Sequence, residues 1–428
     1  MVSFESSRQR VFCVHVRLPG EDPALVIQDA EELQGLVEAI GWEIAGSSHA
    51  MLKTPNASLL LGSGKVDETR QLAFEANAAV ILVDHTLSPS QQRNWEEICG
   101  ISVTDRQGII LEIFADRAQT REAQLQVELA QLRWTLPRLA SSYTNLSRQR
   151  GGTKASRGAG ETQIELDRRV ISDRIRKLGG MLDDVRLQRD VLRKQRVAQG
   201  APSVALVGYT NAGKSSIHRV LSGNDTYVAN ALFATLDPTA RQCKLASGQI
   251  CVVIDTVGFI RKLPHGLIEA FKATLEESVQ ADVLLHVVDA SNPHAFQQYL
   301  ASMQVLEEIG AKDKPMLVAL NKCDVAPNVQ ALEQALEDSG VRQIVKVSAM
   351  EQSGFEQLQT ELEQLLHAGT QEVHMQIPFH DGKTLPWLYS QGCVLSEEHG
   401  SNAVHVVLRI DQEQRLRLES AGFILQAR

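Results

Sequence analysis

The sequence predicts an α/β protein. Its expected parts are an N-terminal α/β domain, a long antiparallel helical hairpin, a doubly wound sheet behind a phosphate-binding loop, and a small α+β C-terminal domain. Three observations carry this prediction. Short apolar runs alternate with helix-like stretches over residues 1–116 and again over 201–367, the pattern of strand–helix–strand units and a mostly parallel sheet. Between those regions, leucines and isoleucines recur at alternating spacings of four and three, the seam of two packed helices. A glycine-rich loop ending in lysine and serine directly follows one apolar run, which is the setting of a phosphate cradle.

In residues 1–116 the strand-like runs are 11–16, 59–61 and 79–83, and the helix-like stretches include 30–40 and 67–76. Residues 117–200 form the expected arm. Leu125, Leu129, Leu132, Leu136 and Leu139 mark one helix, and Ile171, Ile175, Leu178, Leu182 and Val185 mark the other, with Leu192 rejoining the pattern. Pro137 is expected to kink or end the first helix, since it lacks an N–H and clashes with the preceding turn. Residues 148–160, rich in glycine and positive charge, are expected to be an irregular, flexible tip. Over 201–367 the strands are 204–207, 251–254, 283–288, 316–320 and 344–347. The tail 368–428 offers strand-like 373–377, 393–395 and 404–410, then a helical stretch over 412–420.

The chain has 428 residues, a hydrophobic fraction of 43% and a net charge of −9. This is a packed globular composition of several domains, and not that of a uniformly basic nucleic-acid binder. Residues 121–200 nevertheless hold 17 Lys and Arg against 9 Asp and Glu, a net +8 that leaves −17 for the rest. A basic arm on an acidic body suits a polyanionic partner; a solvated, arginine-rich helical face gives the same count. The six cysteines form no C-x-x-C pair, so reduced thiols are expected rather than a zinc site or disulfide framework. The N-terminus lacks the apolar core of a secretory signal, and no apolar run reaches membrane-spanning length. A cytoplasmic protein without a transmembrane segment is expected, with peripheral membrane association left open. Nothing in the pattern demands an oligomer, so a monomer is expected.

The loop residues Gly208, Tyr209, Thr210, Asn211, Ala212, Gly213, Lys214 and Ser215 fit G-x-x-x-x-G-K-[ST] between a strand and a helix. Glycines let backbone N–H groups wrap phosphates, Lys214 is expected to reach the β- and γ-phosphates, and the Ser215 hydroxyl to hold Mg²⁺. Asp255, Thr256, Val257 and Gly258 follow a later strand. The carboxylate there can hold Mg²⁺ through water, and the glycine N–H can sense the γ-phosphate. Asn321, Lys322, Cys323 and Asp324 end another strand, followed in order by Ser348, Ala349 and Met350. A carboxylate at Asp324 can accept both the N1–H and the exocyclic amine of guanine, a pair that adenine lacks, which selects GTP over ATP. Phe233, Ala234, Thr235, Leu236 and Asp237 lie where a switch segment belongs, and Thr235 or Thr239 could complete the Mg²⁺ shell only when γ-phosphate is present. Phe259 stands directly after Gly258, where a glutamine often orients the attacking water. Slow unassisted hydrolysis is expected. Asn211 either supports a K⁺ ion beside the phosphates or serves the loop conformation. Gly62, Ser63, Gly64 and Lys65 imitate a phosphate loop without its four-residue gap, so a turn is preferred there over a second nucleotide site.

These motifs resemble the HflX family of translation-factor-like GTPases over nearly the whole chain. The most specific parts are 208–215, 233–239, 255–259 and the start of the second arm helix at 160–169, with Asp105, Arg106 and 111–115 upstream. The resemblance assigns Thr235, rather than Thr239, to Mg²⁺. It implies a protein that binds the large ribosomal subunit, sends its arm toward the peptidyl transferase centre and, with GTP, separates stalled or idle ribosomes under stress. Three features depart from the family pattern: the loop 151–160, His218 and Arg219 after the phosphate loop, and Pro137. Competing functions are a nucleotide-regulated RNA chaperone and a regulatory GTPase whose arm pairs with protein helices.

Overall fold

Strand β1 (Arg10–Arg17) is buried over its six central residues, which requires neighbours on both sides. In the computed structural model, it pairs in parallel with β2 (Glu43–Met51) and β3 (Val80–Val83), and β3 with β4 (Ser102–Asp105), giving the order β2-β1-β3-β4. The structure describes residues 9–20, 23–139, 155–198, 202–223, 233, 235–246, 248–261, 272–368, 370–390, 393–410 and 412–427. Helices α1 (Pro23–Ala39), α2 (Ser63–Glu75), α3 (Pro89–Cys99) and α4 (Arg106–Arg117) connect or follow these strands. Helix α3 opens with a capping box between Ser88 and Gln91 and closes at Gly100 in the left-handed conformation, so both ends satisfy backbone groups that a helix leaves open.

Two expectations fail here. Residues 59–61 are buried but form no strand: Leu60 has a φ of 64° and only bridges Asn56. The buried Trp95 indole donates to Leu59 O at 2.7 Å, and Leu60 exchanges two backbone hydrogen bonds with Asn56 at 2.8 Å, so a helix side chain and a local turn take the place of a ladder. The second strand of the sheet is β2, whose glycine and serines hid it. Residues 62–65 do not form the expected turn: Gly62 is the N-cap of α2, and Lys65 pairs with Glu68 one turn on.

Helix α5 (Arg121–Thr135) ends in a 3₁₀ turn, Leu136–Arg138, that contains Pro137. Helix α6 (Ala155–Ala198) is the second arm helix. Leu125, Leu129 and Leu178 are buried in one cluster flanked by Leu132, Ile175, Met181 and Leu182, as the heptad spacing demands. Arg174 adds a two-bonded ion pair to Glu128, at 2.7 and 2.9 Å. The expected irregular tip is partly overturned: residues 155–160 are already helical, because the glycines at 158 and 160 cost helix stability without forbidding it. The remainder of the expected tip, 148–154, lies outside the described residues.

The second sheet is built from β5 (Ser203–Gly208), β6 (Thr239–Lys244), β7 (Ile250–Asp255), β8 (Val283–Asp289), β9 (Met316–Asn321) and β10 (Ile344–Lys346), in the order β10-β9-β8-β5-β7-β6. All pairs are parallel except β6–β7. Its alternate residues enter two different cores. Leu317 and Ala319 pack with α7 (Lys214–Ser222) and α11 (Phe355–Leu366), while Val318 and Leu320 pack with α9 (Ala295–Glu308) and α10 (Val329–Asp338). This is the doubly wound arrangement. Helix α8 (Lys272–Gln280) precedes β8. Edge strand β6 went unpredicted because only Cys243 among its six residues is buried.

The C-terminal sheet joins β11 (Gln371–Pro378), β12 (Val394–His399), β13 (Ala403–Ile410) and β14 (Gln426–Ala427) in the antiparallel order β12-β13-β11-β14. Val373, Met375, Ile377, Val404, Val406 and Leu408 alternate inward onto Leu388 of α12 (Thr384–Ser390) and Leu418 of α13 (Gln412–Ser420).

The chain divides into two compact units. One holds Met1–Asp184 with Ala229–Asp237 and Val257–Thr274; the other holds Val185–Val228, Pro238–Thr256 and Leu275–Arg428.

Candidate guanine-nucleotide site

Within the second unit, the site begins where β5 runs into α7. Two glycines are required by conformation and by space. Gly208 has a φ of 136°, and a Cβ there would fall 2.3 Å from Val287 O. Gly213 has a φ of 94°, and its Cβ would fall 2.1 Å from Asn321 Nδ2. Asn211, at a φ of 61°, takes the left-handed conformation that asparagine tolerates better than most residues. These backbone turns leave the loop N–H groups and the start of α7 as an anion-binding concavity.

Lys214 is buried and donates to Gly208 O at 3.1 Å and Tyr209 O at 2.7 Å. Burial pulls its ammonium down to about 8, with the Asp255 carboxylate opposing the shift. Ser215 Oγ donates to Asp255 Oδ2 at 2.7 Å, which places a hydroxyl and a carboxylate side by side. This hard-oxygen pair suits Mg²⁺, so Ser215, with Asp255 behind it, fits the ion that the motifs imply. Thr256 anchors the strand end by donating to Leu206 O at 2.6 Å. His218 sits on the inner side of α7 against Val253 O at 3.2 Å, and burial lowers its basicity.

Two of the residues expected to meet the base, Asn321 and Lys322, bond to the same loop. Asn321 is buried; its Nδ2 donates to Ala212 O at 2.9 Å and its Oδ1 accepts from Ala349 N at 3.1 Å. One carboxamide thus ties the phosphate loop to the segment after β10. Lys322 donates to Asn211 O at 3.1 Å and to Asp289 Oδ2 at 2.6 Å. Cys323 points inward, with Sγ 3.1 Å from Leu320 O, while Asp324 is exposed. Ser348 is buried and its Oγ accepts from Glu351 N at 3.1 Å; Met350 is exposed.

Two residues of this unit escaped the sequence reading. Asp289, at the end of β8, holds Lys322 and also accepts from Ser291; its position at a strand end was the available signal. His286 is fully buried beside Gly208 and stacks on Tyr299 at 4.9 Å. Neither of its ring nitrogens meets a hydrogen-bond partner among the described residues, and burial together with the Lys214 charge pushes it down to about 3. Nothing in the sequence distinguished it from the apolar residues of its strand.

The other candidate residues belong to the first unit. Phe233, Thr235, Leu236, Asp237, Val257 and Gly258 all fall there, and Ala234 lies outside the described residues. Phe233 is buried edge-on against Phe114 at 4.7 Å. Asp237 is engaged by α5: its Oδ2 accepts from Gln119 N at 3.2 Å and Thr120 N at 3.1 Å, and its Oδ1 from the Thr120 hydroxyl. Val257, Gly258, Phe259 and Ile260 are buried. Arg261 pairs with Asp29 at 3.6 Å and donates to Gln28 at 3.2 Å, while its carbonyl accepts from Arg106 at 3.0 Å. Arg106 is itself fully buried, pairing with Asp84 at 2.8 Å and with Glu32, and burial lowers its guanidinium to about 10.

The doubly wound sheet and the phosphate loop, with Asn321–Asp324 at a strand end behind it, together define a P-loop GTPase. Comparison with known proteins agrees. The description "GTP-binding GTPase N-terminal" matches residues 28–115, "GTP-binding GTPase Middle Region" matches 117–196, and "50S ribosome-binding GTPase" matches 203–322. GTPase HflX of Akkermansia muciniphila is 43% identical over 389 residues, covering 89% of this chain and 88% of that protein. GTPase HflX of Escherichia coli K12 is 40% identical, covering 93% and 94%. The chain belongs to the HflX family of GTPases. Among solved structures, a GTP-binding protein from Sulfolobus solfataricus in complex with GDP is 24% identical, covers 84% of this chain and 99% of its own, and overlaps with a TM-score of 0.43. Among the described residues, no helix is long and apolar enough to cross a membrane, and no group of three or more His, Cys, Asp or Glu is placed to hold a metal.

Proposed function

We propose that this GTPase binds the large ribosomal subunit in the cytoplasm through its basic arm and promotes the separation of stalled or idle ribosomes into subunits. The observation that carries the reading is the net +8 of residues 121–200 in an otherwise acidic chain, attached to a guanine-nucleotide switch. Such an arm binds RNA mainly through phosphate and shape. The description of the family matched over 203–322, "50S ribosome-binding GTPase", supports the same partner. In this reading the four parts are 1–116, the arm 117–200, the GTPase domain 201–367 and the C-terminal domain 368–428.

Residues 208–215 hold the phosphates, with Lys214 on the β- and γ-phosphates. Ser215 and Thr235 would hold Mg²⁺, which neutralises charge developing between the phosphates. Gly258 N–H senses the γ-phosphate. Asn321, Lys322, Cys323 and Asp324, with Ser348, Ala349 and Met350, hold the guanine. Phe259 cannot orient water, so the monomeric enzyme hydrolyses GTP slowly. Asn211 would support a K⁺ ion that offsets charge on the phosphates. GTP then favours a ribosome-competent conformation, and hydrolysis reverses that preference.

The test is steady-state GTP hydrolysis in K⁺ buffer with and without purified large subunits. Strong stimulation is expected. Clear GTP binding without stimulation would refute the ribosomal reading and favour an RNA chaperone or a protein-directed regulator.

A further inference from the structure

The segment that carries Thr235 is held at one end by α4 and at the other by the base of the arm. Two residues before Thr235, Phe233 is buried against Phe114 of α4. Two residues after it, Asp237 receives three hydrogen bonds from the start of α5: the amides of Gln119 and Thr120 and the Thr120 hydroxyl. Thr120 is the N-cap of α5, its Oγ accepting from Ala123 N at 3.2 Å. The hydroxyl therefore donates to Asp237 while it caps the helix. A carboxylate in this position also meets the positive end of the α5 dipole. Helix α5 in turn packs on α6 through Leu125, Leu129 and Leu178.

We propose that Asp237 is a latch: it transmits the nucleotide-dependent ordering of Thr235 to the first turn of α5, so that the root of the arm reports which nucleotide is bound. Thr235 and Asp237 are separated by one residue, so fixing the hydroxyl of the first restricts the carboxylate of the second. A segment ordered by γ-phosphate holds Asp237 on Gln119 and Thr120. A segment released with GDP leaves those two amides and the Thr120 hydroxyl to water. Asp237 acts here as a positioning residue, since its bonds go to the arm. The proposal rests on the reading of residues 233–237 as a γ-phosphate-sensitive segment.

Hydrogen exchange of the full chain, read on peptides covering 117–127, tests it with saturating GDP and with a non-hydrolysable GTP analogue. Binding of each is confirmed by competition with a fluorescent guanine nucleotide. In the parent protein, exchange is expected to slow about tenfold with the analogue relative to GDP, the scale of one hydrogen bond to a charged group. Thr120→Ser, which keeps the hydroxyl, preserves the difference. Asp237→Ala abolishes it; Thr120→Ala, which loses the hydroxyl but keeps the two amide bonds to Asp237, reduces it and still binds guanine nucleotide like the parent. If Thr120 and Asp237 only brace the helix, these variants exchange faster in both nucleotide states and the ratio survives; that result overturns the latch. So does a parent protein that binds both nucleotides and shows no difference. A parent protein that binds neither would overturn the latch together with the GTPase reading beneath it.

Discussion

Asn321→Ala should be among the most damaging single substitutions in the nucleotide-binding unit, for reasons that do not involve nucleotide contact. The carboxamide is buried and bridges Ala212 O, at 2.9 Å, to Ala349 N, at 3.1 Å. Truncation removes two hydrogen bonds and strands a carbonyl and an amide in a closed environment. Each bond contributes about 0.5–1.5 kcal/mol net, and each stranded group costs about 1–3 kcal/mol. The two stranded groups set a loss of roughly 2–6 kcal/mol, which for a unit of this size lowers the melting temperature by roughly 4–24 °C. Ala212 immediately precedes Gly213 and Lys214, so guanine-nucleotide affinity should fall as well. Asn321→Asp is a sharper probe: it keeps the shape and the acceptor toward Ala349 but faces Ala212 O with a second oxygen. Thermal melts followed by circular dichroism, paired with fluorescent-GTP titration, read both effects. An Asn321→Ala protein that melts within about 1 °C of the parent and binds GTP equally well would refute this account of how the loop is held.

Four further outcomes are expected. Lys214, held at about 8 by burial, is charged below that pH, and phosphate favours the charged form. GTP affinity should therefore be flat below pH 8 and fall above it, with proton uptake visible by calorimetry in buffers of different ionisation enthalpy. The same lowered value means the unfolded chain binds more protons between about 8 and 10.5, so this group's contribution makes the nucleotide-free protein more stable as pH rises through that window. His286, pushed to about 3 from 6.5, resists protonation in the folded state, so stability should decline as pH falls from 6.5 toward 3, by about 1.4 kcal/mol per pH unit; His286→Phe should remove that slope in acid-denaturation curves. Arg106→Met leaves the buried Asp84 and Glu32 carboxylates without their guanidinium, a loss of about 3–5 kcal/mol that chemical denaturation of the N-terminal unit would register.

Much of this protein is legible in its residues. The G-x-x-x-x-G-K-[ST] loop, the acidic strand end at Asp255 and the later Asn321–Asp324 element each follow a strand in the order that a doubly wound sheet imposes. The alternating spacing from Leu125 to Val185 announced a helical pair because that spacing lays one apolar seam along each helix. Such signals are local or periodic, so sequence alone determines them. What it could not determine are choices settled by packing between distant residues. Strand β2 is glycine- and serine-rich and becomes a strand because β1 offers an open edge. Residues 59–61 look like a strand, yet turn at Leu60 and give a carbonyl to Trp95. His286 reads as one residue of an apolar strand until the fold sets it beside Gly208 and Tyr299. Asp237 reads as part of a nucleotide-sensing motif, and only the tertiary structure brings its carboxylate to Gln119 and Thr120, 118 and 117 positions away in the chain. A hydrogen bond depends on geometry at about 3 Å, and sequence separation carries no information about that distance.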